Sequence, residues 1–256
     1  MVERKLSKYK KENIIFICST MLKQEFIIEC CKHYKFDIKE ENIQMNYNKN
    51  KIVIFDWGGI IESHRKGEYN IDVAVENLIK HFNSKENKNI VERYYNRSID
   101  FGINDIRDIK EDKWFEQIKE EFDLNCTPQE FYDYYIKEFD NVEYYKDVVE
   151  YAHSLKEKCK IGILSNLGCL DKQRLDKQVD LKQFDYVWLS FELKCRKPDE
   201  RIYKIVEKEC KIKKENILFI DDSKENIETA KKLGWNTCNA YGYELDKIKE
   251  KVEEFL

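Results

Sequence analysis

The chain has 256 residues, of which 42% are apolar and 38% charged, and its formal net charge is -4. This length can bury one full hydrophobic core and a small second domain, but not three independent units. Lysine and glutamate are interleaved rather than gathered into a basic stripe, so we expect no nucleic-acid partner. No run approaches the roughly 20 apolar residues of a membrane-spanning helix, and the amino-terminal segment lacks a secretory signal. We therefore expect a cytoplasmic protein without a membrane partner, and no pattern indicates its oligomeric state.

Residues 1–50 are predicted to form an amino-terminal strand-helix extension. The apolar run at 13–18 is typical of a strand, the pattern at 21–34 is typical of a helix, and 46–51 is a polar connector. We interpret the segment as an extra layer at the edge of the main domain. The alternative is a segment that serves a binding partner.

Short apolar runs rich in β-branched and aromatic residues predict the buried strands of a parallel sheet. Besides 13–18, these runs lie at 52–55, 161–164, 186–189 and 217–220, with a weaker sixth at 237–240. Amphipathic stretches typical of helices accompany the later runs, at 148–158, 200–210, 224–233 and 244–255. This alternation predicts an α/β fold with a doubly wound parallel-sheet core, in which right-handed crossovers place helices over the sheet.

The segment between the first core strand and residue 147 shows almost only helical patterns, at 73–82, 114–122 and 128–139. It predicts an all-helical insertion. Its aromatic residues recur at helical spacing, which favours a hydrophobic core of the insertion over a sugar-stacking surface. They are Tyr94, Tyr95, Trp114, Phe115, Tyr132 and Tyr134. The predicted domains are 1–50 (extension), 51–62 with 148–256 (core) and 63–147 (helical insertion).

The run KIVIFDWGGI places Asp56 just past the carboxyl end of a buried strand. Open α/β sheets bind their ligands at this edge, so a reactive carboxylate there is available to a substrate. Gly58 and Gly59 let the backbone turn sharply and let a substrate group approach the main chain closely. The alternative is a strand-ending turn without a catalytic role.

Two further strands are followed by groups that can bind an anion. Ser165 and Asn166 end the strand at 161–164 with small polar groups; a helix cap or turn is the alternative. Pro198 is predicted in the first turn of the next helix, which places Lys197 at the helix start. A cation at a helix start is repelled by the positive end of the helix dipole unless an anion lies between them, so this position favours an anion-binding role for Lys197. The alternative is a solvated lysine in a charged loop.

Asp221 and Asp222 end another predicted strand, and Asn226 lies one helical turn further on. Two adjacent carboxylates repel each other unless a cation is near, and hard oxygen ligands of this kind suit Mg²⁺. The alternative is that Asp222 or Ser223 caps the following helix. Because the carboxyl ends of parallel strands share one edge of a sheet, we expect all these motifs to form one site.

In their order and context these residues resemble the motifs of the haloacid-dehalogenase-like (HAD) superfamily of hydrolases. The stretches ILSN, CRKPDERIY and FIDDSKENIETAKKLG carry the resemblance, together with the aspartate of the first motif, and it covers about residues 51–256. The helical insertion resembles the cap that many members place over the substrate. The resemblance implies an aspartyl-phosphate formed on Asp56.

The resemblance also implies roles for the other motif residues. The implied catalytic residues are Asp56, Ser165 and Lys197; the implied substrate-binding groups are Ser165, the Asn166 amide, Lys197 and Gly59. The implied ligands of Mg²⁺ are Asp56, the Gly58 carbonyl, Asp222 and Asp221, the last directly or through water.

The chain departs from the family pattern at position 58, where most family phosphatases carry a second aspartate. That aspartate protonates the leaving oxygen and activates water, and such help is typically worth about 10²–10⁴-fold. Glycine can do neither. The first motif is similar to that of a branch with Asp-x-Gly-Asn or Asp-x-Gly-Gly, which includes bacterial sugar-1-phosphate phosphatases. Glu62 or His64 could supply the acid or base; the alternative is that both face solvent.

Together these observations predict a Mg²⁺-dependent phosphatase acting on a small phosphorylated metabolite such as a sugar phosphate. One alternative is a non-catalytic phosphate-binding or regulatory protein that lost turnover through Gly58. A second is a 2-haloacid dehalogenase, which also lacks the second aspartate but needs no metal, so the acidic pair disfavours it. A third is phosphoryl transfer to an acceptor other than water.

Overall fold

The computed structural model describes the backbone of residues 16–18 and 43–45, and residues 50–83, 88–100, 113–168, 171–172, 175 and 178–256. The chain divides into two compact units, Met1–Asn48 with Leu256, and Lys49–Phe255. None of the described helices is long and apolar enough to cross a membrane.

In the first unit, β1 (Phe16–Cys18) pairs in parallel with β2 (Ile43–Met45) to form a sheet of two strands. The sequence predicts the run at 13–18 as a strand of the main sheet, and this expectation is wrong. Its partner is a three-residue strand, too short to show a hydrophobic period in the sequence. The predicted helix at 21–34 and most of the predicted connector lie outside the described residues.

The second unit contains a parallel sheet of five strands in the order β5-β4-β3-β6-β7. The strands are β3 (Ile52–Phe55), β4 (Lys160–Ser165), β5 (Tyr186–Leu189), β6 (Ile217–Asp221) and β7 (Asn236–Asn239). β3 lies in the middle, and all four of its residues are buried. Burial on both faces explains its uninterrupted apolar sequence and confirms the predicted α/β fold class.

The described residues between β3 and β4 are helical over much of their length. The first four helices are α1 (Ile71–Phe82), α2 (Ile90–Asp100), α3 (Lys113–Phe122) and α4 (Pro128–Phe139). They share a hydrophobic core in which Trp114, Phe115 and Phe131 are fully buried. Tyr94 is also buried there, and Tyr95, Tyr132 and Tyr134 pack against the same core. The aromatic residues therefore form a core, as the helical spacing predicts.

The remaining helices flank the sheet or follow its strands. They are α5 (Lys146–Ser154), α6 (Ser190–Leu193), α7 (Glu200–Cys210), α8 (Lys224–Leu233) and α9 (Leu245–Phe255). Tyr203 of α7 packs edge-on against Phe219 of β6 and against Trp235, which joins α7 to the sheet. These contacts hold the carboxyl end of β6 in place beside β3.

Candidate active site

Asp56 follows β3 and lies directly beside the end of β6. Its backbone N–H donates to the carbonyl of Ile220 at 2.9 Å, which continues the pairing of the two strands past Phe55. Asp221, the last residue of β6, is therefore level with Asp56. Asp56 is 7% exposed and Asp221 is fully buried, so both carboxylates are largely removed from water.

Lys197 is buried between these two carboxylates. Its Nζ lies 2.9 Å from Asp56 Oδ1 and 2.7 Å from Asp221 Oδ2, and the residue is 1% exposed. Burial by itself lowers the pKa of Lys197, but the charges of Asp221 and Asp56 outweigh this effect and raise it. The Lys197 ammonium is therefore charged, and the carboxylates of Asp56 and Asp221 are the anions that balance it.

The sequence places Lys197 at a helix start, and this expectation is wrong. Helix α7 begins at Glu200, and the Asp199 side chain caps it by accepting a hydrogen bond from the N–H of Arg201. Lys197 and Pro198 precede the cap. An aspartate is a preferred capping residue, and it moves the start of the helix past the proline.

Asn166 fixes the main chain of Lys197 from the neighbouring strand end. Its Nδ2 donates to the Lys197 carbonyl at 2.9 Å, and its Oδ1 accepts from the Lys197 N–H at 2.8 Å. Sequence reasoning missed this role of the side chain, because the two residues lie on different loops. Binding of a phosphoryl oxygen by the Asn166 amide stays a prediction.

Ser165, the last residue of β4, lies at the same edge of the sheet. It is two residues beyond Ile163, which pairs with Phe55, and it is 2% exposed. The strand register thus brings Ser165 to the edge where Asp56 lies. Its part in phosphate binding stays a prediction.

Asp221 is held by groups from the start of α8. Ser223 N–H donates to its Oδ1 at 2.8 Å, and Asn226 Nδ2 lies 3.1 Å from Oδ1 and 3.0 Å from Oδ2. Burial raises the pKa of the Asp221 carboxyl, although the Lys197 ammonium acts in the opposite direction. Ser223 occupies the N-cap of α8 but makes no side-chain capping bond, which disfavours a capping role for that hydroxyl.

Asp222 completes an acidic cluster against the loop of the first motif. A Cβ atom added at Gly59 would lie 2.5 Å from Asp222 Oδ2, and Gly59 has a φ of +74°. Only glycine combines this backbone angle with this close approach. Carboxylate oxygens of Asp56, Asp221 and Asp222 lie within 4.8 Å of one another, the one such cluster among the described residues.

His64 lies beside Gly58, where the second aspartate of the family would project. A Cβ added at Gly58 would lie 3.2 Å from His64 Cε1 and 3.3 Å from Nε2. His64 Nδ1 is 3.7 Å from Asp222 Oδ2. His64 is exposed at the surface. Partial burial lowers its pKa, but the charge of the nearby Asp222 carboxylate outweighs this effect and raises it. Glu62 is 1% exposed, so it does not face solvent.

The sequence matches the family model described as haloacid dehalogenase-like hydrolase over residues 87–240, more than half of the chain. The chain belongs to the haloacid dehalogenase-like hydrolase family. The matched range begins after the first motif, and the geometry above places Asp56 among the later motifs. No curated protein sequence matches the chain.

Solved structures of HAD proteins share the fold. A HAD family enzyme from Bacteroides thetaiotaomicron, in complex with magnesium and inorganic phosphate, is 20% identical with a TM-score of 0.57, over 73% of this chain and 92% of that one. A predicted HAD-like family hydrolase from Porphyromonas gingivalis is 20% identical with a TM-score of 0.60, over 80% and 98%. The L-2-haloacid dehalogenase from Xanthobacter autotrophicus is 16% identical with a TM-score of 0.53, over 73% and 76%.

Proposed function

We propose that this HAD hydrolase is a Mg²⁺-dependent phosphatase that hydrolyses a small phosphorylated metabolite, with Asp56 as the nucleophile. The observation that carries the proposal is the acidic cluster of Asp56, Asp221 and Asp222, with the buried ammonium of Lys197 between the first two carboxylates. A nucleophilic carboxylate, a cation for a phosphoryl oxygen and a set of metal ligands are thus present at one sheet edge.

The charges of the cluster fit a divalent cation. The cluster has three carboxylates and one lysine ammonium, which contacts two of them, so negative charge is in excess. Asp221 already accepts hydrogen bonds from Lys197 and Asn226 on its carboxylate, whereas Asp222 lies against the glycine loop. Asp56, Asp222 and the Gly58 carbonyl would therefore hold Mg²⁺, with Asp221 as a further or water-mediated ligand. When bound, the ion would neutralise part of the negative charge on the phosphoryl group.

Asp56 is fixed for attack by two donors. Lys197 Nζ and the N–H of Trp57, at 2.9 and 2.6 Å, both contact its Oδ1. The Asp56 carboxylate attacks phosphorus and expels the leaving oxygen. Water then hydrolyses the aspartyl-phosphate and releases phosphate. Ser165 and the Asn166 amide, at the neighbouring strand end, would hold phosphoryl oxygens during both steps.

The division of the second unit into a core and a helical cap belongs to the same proposal. The four helices α1 to α4 enclose their own hydrophobic core, distinct from the cluster between β3, β6 and α7. Such an independent core is what a cap over the sheet edge requires. We place the cap at 63–147, between core segments 51–62 and 148–256.

Hydrolysis of p-nitrophenyl phosphate tests the function. We expect turnover with Mg²⁺ that is abolished by a chelator and reduced at least about 10³-fold by Asp56→Asn, because the amide is a poor nucleophile. Asp246→Asn, at an exposed position of α9, is the matched control and should leave the rate unchanged. Turnover that persists in the Asp56 variant would contradict the mechanism. Binding of Mg²⁺ and fluoroberyllate without turnover of any ester would instead identify a phosphate-binding protein.

A further inference from the structure

Two exposed tyrosines follow the last strand of the sheet. Tyr241 and Tyr243 are 38% and 46% exposed, and they are the exposed large apolar side chains of the described part of the chain. Single exposed aromatic residues are common on protein surfaces, whereas these two lie next to each other and form one small aromatic patch. We call Tyr241-Gly242-Tyr243 the tyrosine segment.

Hydrogen bonds attach the residues just before the tyrosine segment to Asp221 and Asp222. The N–H of Ala240 donates to the Asp221 carbonyl at 3.3 Å, and Asn239 Nδ2 donates to the Asp222 carbonyl at 2.8 Å. Tyr241 thus directly follows residues that are bonded to the acidic pair.

The same segment is attached to the first motif. Gly242 N–H donates to the Gly59 carbonyl at 2.8 Å. A Cβ at Gly242 would lie 2.1 Å from the Ile60 carbonyl oxygen and 2.3 Å from the ring of Tyr145, so no larger residue permits this approach. The two tyrosines are therefore held at the rim of the site that contains Asp56.

The two rings form one preorganised surface. They are stacked with an interplanar angle of 5° and a centroid distance of 5.2 Å. The Arg65 guanidinium lies 5.2 Å from the ring centroid of Tyr243, and the ring of Tyr145 meets Tyr243 nearly edge-on. Arg65 also contacts Glu68 at 3.4 Å, so its charge is already partly matched within the protein. Because Tyr243 contacts Tyr241 and the Arg65 guanidinium, the pair offers a ligand the outer face of Tyr241 and the exposed edge of Tyr243, rather than an anion site.

We propose that Tyr241 and Tyr243 form the subsite for the leaving group and select esters whose leaving group carries a ring, aromatic or sugar. The inference rests on the proposed function, since a phosphoryl group held at Asp56 leaves the remainder of the ester at the rim. Tyrosine rings stack on aromatic faces and on the apolar C–H faces of sugars, and their hydroxyls can bond to ring substituents. An acyclic leaving group has no comparable face.

Kinetics on three esters test the subsite. Phenyl phosphate and glucose 1-phosphate carry rings, and ethyl phosphate does not. In Tyr241→Ala/Tyr243→Ala we expect KM for at least one ring ester to rise about three- to tenfold, with ethyl phosphate unchanged within about twofold. The phenylalanine variants should restore most of the aromatic contact. Equal effects on ring and ring-free esters, or no effect, would overturn the proposal.

Tyr186→Ala is the matched control. Tyr186 also belongs to a parallel stacked pair, with Trp188, but it lies at the amino end of β5, whereas Asp56 lies at the carboxyl end of the sheet.

Calorimetry separates the subsite from catalysis, because phosphonates cannot be hydrolysed at their C–P bond. Wild type with Mg²⁺ should bind phenylphosphonate about three- to tenfold more tightly than ethylphosphonate, and the double variant should lose this preference. If the wild type prefers phenylphosphonate but hydrolyses no ester, only the phosphatase function is refuted. If the double variant keeps the preference for phenylphosphonate, the subsite is refuted.

Discussion

At the scale of single residues, the site depends on positions where a side chain is missing as much as on its charged groups. Gly59 lets Asp222 approach the first-motif loop, and Gly58 leaves room for the ring of His64. Both glycines are visible in the sequence as departures from a continuous strand pattern. What occupies the space beside each of them is visible only in the folded chain.

Substitution Gly59→Ala should disable metal binding. The new Cβ would lie 2.5 Å from Asp222 Oδ2, so the carboxylate has to move away from the cluster. We expect the Mg²⁺ concentration for half-maximal activity to rise at least about tenfold, as for loss of one ligand interaction. Gly67→Ala is the control, because Gly67 also has a positive φ of +96° but nothing lies within 4 Å of an added Cβ. Equal effects of the two substitutions would show that backbone strain alone is responsible.

His64→Ala tests whether the imidazole takes over from the absent aspartate at position 58. If His64 donates a hydrogen bond to the leaving oxygen, its loss should lower kcat about 10- to 100-fold for ethyl phosphate. The loss should be much smaller for p-nitrophenyl phosphate, whose leaving group departs without a proton. Steady-state kinetics on both esters are the measurement. A similar loss on both would contradict this role and indicate that His64 only positions Asp222.

At the scale of elements, a hydrogen bond from Tyr135 connects α4 to the segment that follows β4. Tyr135 of α4 donates to Asp171 Oδ1 at 2.9 Å, and the N–H of Gly168 donates to Oδ2 of the same carboxylate at 3.2 Å. Tyr135 and Asp171 are both buried. Because the segment begins just after Ser165 and Asn166, the contact links the helical insertion to these two candidate phosphate-binding residues.

Tyr135→Phe should loosen this link without removing the ring from the core. Loss of a hydrogen bond to a buried carboxylate should lower the free energy of unfolding by about 1–3 kcal/mol. Urea denaturation measures the change. Tyr151→Phe is the control on α5, because no hydrogen bond of its hydroxyl occurs within the described residues. If the two variants are equally stable, the bond to Asp171 does not contribute measurably.

At the scale of the whole molecule, we expect the unbalanced acidic cluster to couple stability to the metal. Carboxylates that repel each other in the free protein would bind the ion only when the fold brings them together. A ligand that binds only the folded state stabilises it in proportion to the logarithm of its concentration.

Mg²⁺ should therefore raise the melting temperature, and a chelator should reverse the effect. At a concentration of about 100 times Kd the expected stabilisation is about 2.7 kcal/mol. Asp222→Asn should reduce the shift, while Asp246→Asn, which is exposed, should retain it. Thermal denaturation with and without Mg²⁺ provides the comparison. A melting temperature independent of Mg²⁺ in the wild type would refute the metal site.

The elements that depend on local patterns follow from the sequence. Strands β3 and β5 and helices α4 and α8 have the predicted bounds, because a run of apolar residues or a 3.6-residue period is a local property. The meeting of the motifs at one edge also follows, since parallel strands align their carboxyl ends. The start of α7 does not follow from the sequence. The preference of proline for the first helical turn predicts a start near Pro198, but Asp199 caps the helix and it begins at Glu200.

The sequence by itself determined the α/β core, the order of its motifs and the identity of Asp56 as the central carboxylate. Only the tertiary structure decided that Lys197 lies between Asp56 and Asp221, and that the tyrosine segment is bonded to Gly59. These contacts join loops that are far apart in the chain. A hydrophobic pattern fixes which face of an element is buried, but the register and packing of several elements together fix which loop residues touch.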